Sequence, residues 1–419
     1  MKIELPCGKD SVALNLPDTV QLLRTHATTP VQNTQKAVEQ VLTEPIGTPP
    51  LAELAKGREN CCIVISDITR PVPNKEILPP ILRTLEESGM ARKDITILIA
   101  TGMHRPNLGE ELEGMVGKEI MDNYRIVNHY CQKQEELREV ARIEGAPIEV
   151  NTHYLDADLK ILTGLIEPHF YAGFSGSRKS ILPGISSFET MKFMHSYQVI
   201  SQLHEANCRL ENNIFHQYAM EVTKLVGVDF ILNVVINKER ELAGVFAGHY
   251  EEAHKAGCEM VVDHAVENLD KKVDLVITSA GGYPLDASFY QVSKCLIGAR
   301  DILTKDGTIV VMCGCEEGLG NEEFCTIMRS NPTPTDFQVQ HSDPDNFVID
   351  QWCAQNIYQA LDHAGKIYIY SPGLSLDDVS RFGGIKIENC QETIDELLKD
   401  HTDVAVIPEG PYVVGKVQQ

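Results

Sequence analysis

The chain is short of positive charge: 37 lysines and arginines stand against 60 aspartates and glutamates, a formal net charge of −23 over 419 residues. Such a surface repels a polyphosphate such as DNA or RNA, so nucleic acid is not an expected partner. Long apolar runs are missing as well. None approaches the roughly 18–20 consecutive apolar residues that a membrane span needs, and Met1 to Asp10 lacks the basic-then-apolar character of a signal peptide. A soluble, cytoplasmic protein without membrane association is expected. Several motifs are absent too. There is no C-x-x-C among the twelve cysteines; Cys61 and Cys62 sit in a β-branched run and Cys258, Cys295 and Cys390 in helical patterns, so they read as reduced thiols, suited to an oxygen-poor setting. Cys313 and Cys315 form one C-x-C, a weak metal signal. Without H-E-x-x-H or a clustered Cys/His set, a conventional zinc site is not expected. Without a P-loop or G-x-G-x-x-G, a free dinucleotide loses its usual support.

What is present is an ordinary globular composition, 43% hydrophobic and 23% charged, long enough for two or three domains at about 150 residues each. Short apolar strands, loops bearing Gly, Pro or His, and helical patterns recur in that order, which predicts an α/β fold with mostly parallel sheets. Residues 61–66, 95–100 and 161–166 read as strands, and 230–236 with 242–246 as a hairpin. After the first strand comes a helix with Ile81, Leu82 and Leu85 on one face and Pro79 and Pro80 in its first turns, stopping near Gly89. The polar stretch 267–272 precedes a new strand at 273–278 and places a domain boundary near residue 270. The expected domains are 1–270 and 271–419, with roughly the last 15 residues packing back on the first. The second domain is expected to hold a helix over about 286–303 and strands at 308–313, 367–370 and 404–407.

In open α/β sheets, ligands sit beyond the carboxyl ends of the strands, and three strand-end loops here carry most of the distinctive polar residues. The first holds Asp67, Thr69 and Arg70, which alone could be a turn with an internal ion pair. The second holds His104. The third, 167–179, holds His169 and a run of small residues, Gly173, Ser175, Gly176 and Ser177, ahead of Arg178 and Lys179. Its backbone amides and cations make it a plausible anion cradle. Histidine is the natural acid or base near neutral pH; His195, in an apolar setting, reads on its own as a core residue. Gln291 and Lys294 share one face of the later helix, next to Tyr290, where a neutral donor and an ammonium could hold a carboxylate or simply face solvent.

Taken together, Ser66-Asp67-Ile68-Thr69-Arg70-Pro71, Ala100-Thr101-Gly102-Met103-His104-Arg105-Pro106, Glu167-Pro168-His169-Phe170-Tyr171-Ala172-Gly173-Phe174-Ser175-Gly176 through Lys179, His195, and Gly281-Gly282-Tyr283-Pro284 followed by Tyr290, Gln291 and Lys294 resemble the nickel-pincer lactate racemase family. The resemblance implies two α/β domains, with the active site in a cleft between them, and a 2-hydroxy acid racemase or epimerase. The implied cofactor is nickel in a pyridinium-3,5-bisthiocarboxylic acid mononucleotide, the nickel-pincer nucleotide, supplied by maturation enzymes. By position, Lys179 corresponds to the attachment lysine, His195 to the nickel ligand, and His104 and His169 to the two catalytic histidines. Asp67, Thr69, Gly173, Phe174, Ser175, Gly176, Ser177 and Arg178 correspond to cofactor-binding residues, and Arg70, Tyr290, Gln291 and Lys294 to substrate-binding ones. Two departures stand out: Ser177 where many relatives have a second glycine, and Glu211 to His216 without an Asn-Pro-x-His pattern.

The chemistry fits those parts. Removing the α-hydrogen of a 2-hydroxy acid as a proton leaves a carbanion beside a carboxylate, whereas hydride removal with loss of the hydroxyl proton to a histidine leaves a 2-oxo acid. The alternatives are an NAD(P)-dependent hydroxy acid dehydrogenase, disfavoured by the missing dinucleotide motif, and a non-catalytic binding protein of the same fold, which would need no such set of histidines and lysine.

Overall fold

The computed structural model describes residues 1–418. The chain divides into two compact units: a first comprising Ala27–Met194 and Cys208–His264, and a second comprising Met1–His26, His195–Asn207 and the chain from Ala265 onward. The chain ends do not follow the expected partition into 1–270 and 271–419. Met1–His26 belongs with the second unit, and so does the C-terminal segment, whose strand Val414–Val417 pairs in parallel with Val266–Leu269. The cause is visible in the first residues. Lys2–Cys7 alternates exposed and buried positions, and Ile3 and Leu5 join the core of Leu275, Ile277, Val310 and Val406.

In the first unit, five parallel strands and one antiparallel edge strand form a sheet in the order Leu242–Gly248, Phe230–Ile236, Leu159–Leu165, Cys61–Ser66, Ile95–Ala100, Arg125–Asn128. Cys61 through Ile65 are all buried, as expected of a parallel strand covered on both faces. Asn74–Glu87 supplies part of that cover through Ile77, Ile81 and Leu85, spaced four apart and each fully buried, a contribution of roughly 1.5–3 kcal/mol per side chain. This helix starts earlier than expected. Pro79 and Pro80 therefore lie inside it rather than in its first turns, where each removes one backbone donor.

The second unit carries a six-stranded, all-parallel sheet in the order Ile385–Lys386, Lys366–Tyr370, Leu303–Met312, Val273–Ser279, Val404–Ile407, Gln21–Leu22. Helix Phe289–Ile302 connects its two central strands. All twelve cysteines are free thiols. Burial pushes Cys62 and Cys258 up to about 12, which keeps them protonated and unreactive.

Candidate active site

Strands Leu159–Leu165, Cys61–Ser66 and Ile95–Ala100 are adjacent and parallel, with Val64 opposite Leu162 and Ser66 opposite Ala100. The loops that leave their carboxyl ends therefore emerge from neighbouring positions on one edge of the sheet, as ligand sites in such sheets require. Asp67 is its organising group. It is buried, its Oδ1 accepts a hydrogen bond from Thr69 Oγ1 at 2.6 Å, and its Oδ2 lies 2.7 Å from His104 Nδ1. The carboxylate is 5% exposed and the imidazole 60%, so a buried anion orients a histidine that projects outward. Arg70 forms an ion pair with Glu167, each side chain about one third exposed. Glu167 belongs to the third loop, so the pair ties two of the three loops together. A substrate carboxylate at Arg70 has to displace or share that partner. Arg105 is occupied elsewhere, bidentate on Glu111.

The third loop is the opposite of exposed. Gly173 through Arg178 are all buried, and Lys179 is half-buried in the four-residue helix Arg178–Ile181. Gly173 has φ +77°, and a Cβ there would fall 2.3 Å from the carbonyl oxygen of Arg209, so only glycine fits. Ser177 has φ 44°, a region where glycine is unstrained and other residues are rare. Its place is fixed by Asn233, whose amide group donates to Ser177 Oγ while its Oδ1 accepts from Ser177 N at 3.3 Å.

Arg178 does not do what its sequence setting implies. Its Nε donates to His216 Nδ1 at 2.6 Å, Nη1 to His254 Nε2 at 2.8 Å, and Nη2 to the carbonyls of Ala172 at 2.8 Å and Phe174 at 3.1 Å. Four of the five guanidinium N–H groups are thereby spent inside the protein. Burial, followed by the Arg178 charge, holds His216 down to about 3 and His254 well below the ordinary histidine range, so both rings are neutral; Nε2 of His254 also lies 2.9 Å from the Ser175 carbonyl. Two loop amides are spent as well, Ser175 N on Glu167 O and Ser177 N on Asn233. The expected anion cradle is in this respect an internally braced loop. The guanidinium that sequence spacing assigns to a phosphate is instead the brace.

In the second unit, helix Phe289–Ile302 presents Tyr290, Gln291 and Lys294 half-buried near its start. Tyr290 donates to Asp350 at 3.2 Å, and burial, then Cys353 and Asp350, push its hydroxyl far up, so it stays protonated. Gln291 Oε1 is buried without a hydrogen-bond partner. His195 is buried beside Trp352, with ring centroids 4.8 Å apart. A cavity of about 370 Å³ in the same unit, lined by Tyr197, Arg300, Asp301 and Gln355 among others, contains none of the expected site residues.

Sequence reasoning missed Glu167 as a partner of Arg70, the braces His216 and His254, and Asn233. Only Asn233 leaves a local signal, a lone amide in the apolar strand Phe230–Ile236. For the nickel-pincer group, the donor set fits in one respect and not in another. No set of three or more His, Cys, Asp or Glu side chains that could hold a metal occurs among the described residues, so a metal here requires ligands of its own, which this nucleotide has. Lys179 and His195 each suit a single bond to such a group. The phosphate is less well served, because Arg178 and two of the loop amides are already committed.

Comparison with known proteins gives a consistent result. The chain matches the lactate racemase N-terminal domain over residues 7–207 and the lactate racemase C-terminal domain over 269–414. It is 34% identical to a lactate racemase of Thermoanaerobacterium thermosaccharolyticum over 98% of both chains, and 35% identical to one of Lactiplantibacillus plantarum over 91% of both. The solved lactate racemase apoprotein from Thermoanaerobacterium thermosaccharolyticum superposes with a TM-score of 0.89 at 33% identity, covering 99% of this chain and all of that one. A Thermotoga maritima protein shares the fold, with a TM-score of 0.66 at 18% identity, covering 94% of this chain and all of that one. With both domain models matched and relatives aligned over nearly their full length, the chain belongs to the lactate racemase family of isomerases.

Proposed function

We propose that this chain inverts the configuration at C2 of a 2-hydroxy acid, lactate or a close analogue, by reversible hydride transfer. The observation that carries the reading is the Asp67–His104 pair. A buried carboxylate 2.7 Å from Nδ1 of an outward-facing imidazole, at the carboxyl edge of three adjacent strands, is the arrangement of a general base held ready. Asp67 fixes the ring and offsets the charge it gains when Nε2 takes the hydroxyl proton. His169 is the second histidine of the pair that meets the substrate oxygen. Arg70 and Lys294 are the carboxylate-binding residues of this reading, Tyr290 and Gln291 its further substrate-binding residues, and Glu167 yields Arg70 to the substrate.

The cofactor of this reading is the nickel-pincer nucleotide, attached at Lys179, with His195 completing its nickel coordination. When bound it supplies a hydride acceptor, so that no carbanion forms beside the carboxylate. Thr69 and Asp67 would help hold it, and the loop Gly173, Phe174, Ser175, Gly176, Ser177 and Arg178 would serve it by fixing Lys179 rather than by lending charge. The reading includes host enzymes that make the nucleotide and a cytoplasmic location. The test is a screen of single-enantiomer 2-hydroxy acids, from lactate and malate to sugar acids, on protein made together with the maturation enzymes, with chiral separation of products. Conversion of one enantiomer to its mirror image is expected. Protein carrying the Lys179 adduct that leaves every acid unchanged refutes the reading.

A further inference from the structure

The cavity of about 370 Å³ in the second unit does not lie where the catalytic loops of a parallel sheet emerge. Three of its lining residues stand just ahead of parallel strands: Lys272 before Val273–Ser279, Asp301 before Leu303–Met312, and His363 before Lys366–Tyr370. They mark the amino ends of those strands, whereas ligand loops of such sheets leave the carboxyl ends. Helix Phe289–Ile302 separates the cavity further from the residues assigned to substrate. Tyr290 and Lys294 belong to the first half of that helix, with Arg300 and Asp301 in its last turn. At 1.5 Å per residue, about 9 Å of helix lies between Lys294 and Arg300.

The most buried part of the lining is charged, which stability does not require. Arg300 Nε and Nη2 donate to Asp301 Oδ1 at 3.0 and 2.6 Å, and Nη1 donates to Gln359 Oε1 at 3.0 Å. The Arg300 and Asp301 side chains are 10% and 9% exposed. Desolvating two charges costs about what their attraction returns, and an apolar pair of similar volume would serve a core as well. The bonding capacity left over is of both kinds. Arg300 has used three of its five N–H groups, Gln359 keeps its Nε2 donors, and Asp301 Oδ2 has no donor among the described residues. Gln355 spends Nε2 on the Tyr197 carbonyl at 3.0 Å and leaves Oε1 without a partner. The lysine and arginine of the wall are already matched, Arg300 by Asp301 and Lys272 by Glu205 at 3.2 Å. The rings of Tyr197, Phe337 and Tyr358 complete the lining.

From this we infer that the cavity is a second ligand site, built for a small neutral polyhydroxylated molecule such as a mono- or disaccharide. A hydroxyl both donates and accepts, so one such group can serve Asp301 Oδ2 and a spare N–H of Arg300 or Gln359 without disturbing either ion pair. The rings offer apolar faces to the C–H side of a sugar. An anion would compete with Asp301 for Arg300 and face Glu205 and Asp362 as well. An ammonium group would have to take a carboxylate from Arg300 or Lys272. An apolar molecule would bury the ion pair and the amides with nothing to bond them. The volume lies within the range of small-molecule sites, roughly 300–1,000 Å³. The site stands whether or not the racemase reading holds.

The experiment is saturation-transfer difference NMR on the full chain, with glucose, ribose and trehalose as neutral probes and glucosamine and glucose 6-phosphate as charged ones. It compares the wild type with D301N, which turns the free acceptor into an amide of the same size, and with Q338W. Gln338 is an exposed lining residue, so an indole there narrows the cavity without replacing any paired group, and circular dichroism checks that the variant is folded. At least one neutral sugar should bind the wild type, about tenfold or more weakly in D301N and not measurably in Q338W, with both charged sugars binding less tightly. If D301N fails to fold, Q338W carries the test. Absence of binding by all three neutral sugars overturns the inference. Unchanged affinity in folded Q338W does so too, since the sugar then sits elsewhere. Tighter binding of a charged sugar that Q338W abolishes overturns the ligand class.

Discussion

The two arms of the candidate site, both in the first unit, are built on opposite plans. The Asp67–His104 arm is anchored at its base and open at its tip, with a 5% exposed carboxylate under a 60% exposed imidazole. The 167–179 arm is buried continuously from Tyr171 to Arg178, and the polar atoms of that stretch face inward onto Asn233, His216, His254 and its own carbonyls. The open arm has a side chain able to exchange a proton with an incoming molecule. The closed arm spends its hydrogen bonds on shape, and so holds His169 and Lys179 in place. Abundance of Gly, Ser and Arg in a strand-end loop is therefore not by itself a measure of ligand contact. The same residues serve when a backbone must fold tightly on itself.

Four measurements break or sharpen this contrast, and the largest effect belongs to the open arm. D67N keeps the size of the side chain but can present an amide donor to Nδ1, which reverses the tautomer of His104; kcat should fall on the order of 10³- to 10⁴-fold with stability little changed, and a variant retaining most of its turnover would remove Asp67 from the mechanism. In the closed arm the main effect should be on stability. R178M leaves the Ala172 and Phe174 carbonyls without their shared donor, and a loss of about 3 kcal/mol is expected in urea unfolding. No change in the midpoint would show that the brace is dispensable.

The third measurement is acid sensitivity. His216 is held down to about 3 and His129 to about 4, in both cases chiefly by burial, against an unfolded value of 6.5. Between pH 6.5 and these folded values the unfolded chain binds protons that the folded chain refuses. Stability therefore falls as pH drops through that window, by about 1.4 kcal/mol per pH unit for each such histidine. A melting temperature that stays flat from pH 7 to 4.5 contradicts this. In R178M the Arg178 charge no longer opposes protonation of His216, so the acid limb should be shallower than in the wild type. The smallest effect is that of S177G. It relieves backbone strain at φ 44° but forfeits the Asn233 bond to Oγ, two terms of about 1 kcal/mol each and opposite sign. The melting temperature should hardly move, and a shift of many degrees would mean that one of the terms is absent.

Much of the fold was legible because its signals are local. Cys61–Ser66 and Ile95–Ala100 are continuous apolar runs, and both strands occur at the expected positions. The ownership of the chain ends was not legible: the alternation of Lys2–Cys7 shows that a strand is present but not which core receives its buried face. The site divides in the same way. Asp67 and His104 were legible as members of strand-end loops, although their contact depends on two loops 37 residues apart meeting at one sheet edge. The brace was not legible. His216 and His254 lie 38 and 76 residues from Arg178, and nothing in their own surroundings distinguishes an acceptor for a buried guanidinium from any other packed histidine.

The central claim, that the C2 hydrogen travels with its electron pair, is tested most directly by label retention. A single enantiomer of a 2-hydroxy acid, converted by this protein and deuterated at C2, is incubated in ordinary water with the cofactor-loaded protein until racemisation is well advanced, and the product enantiomer is isolated and its mass measured. Hydride transfer predicts that the product keeps its deuterium, because hydrogen moved with its electron pair never passes through a group that exchanges protons with water. Product carrying solvent hydrogen at C2 would contradict the account and replace it with proton abstraction.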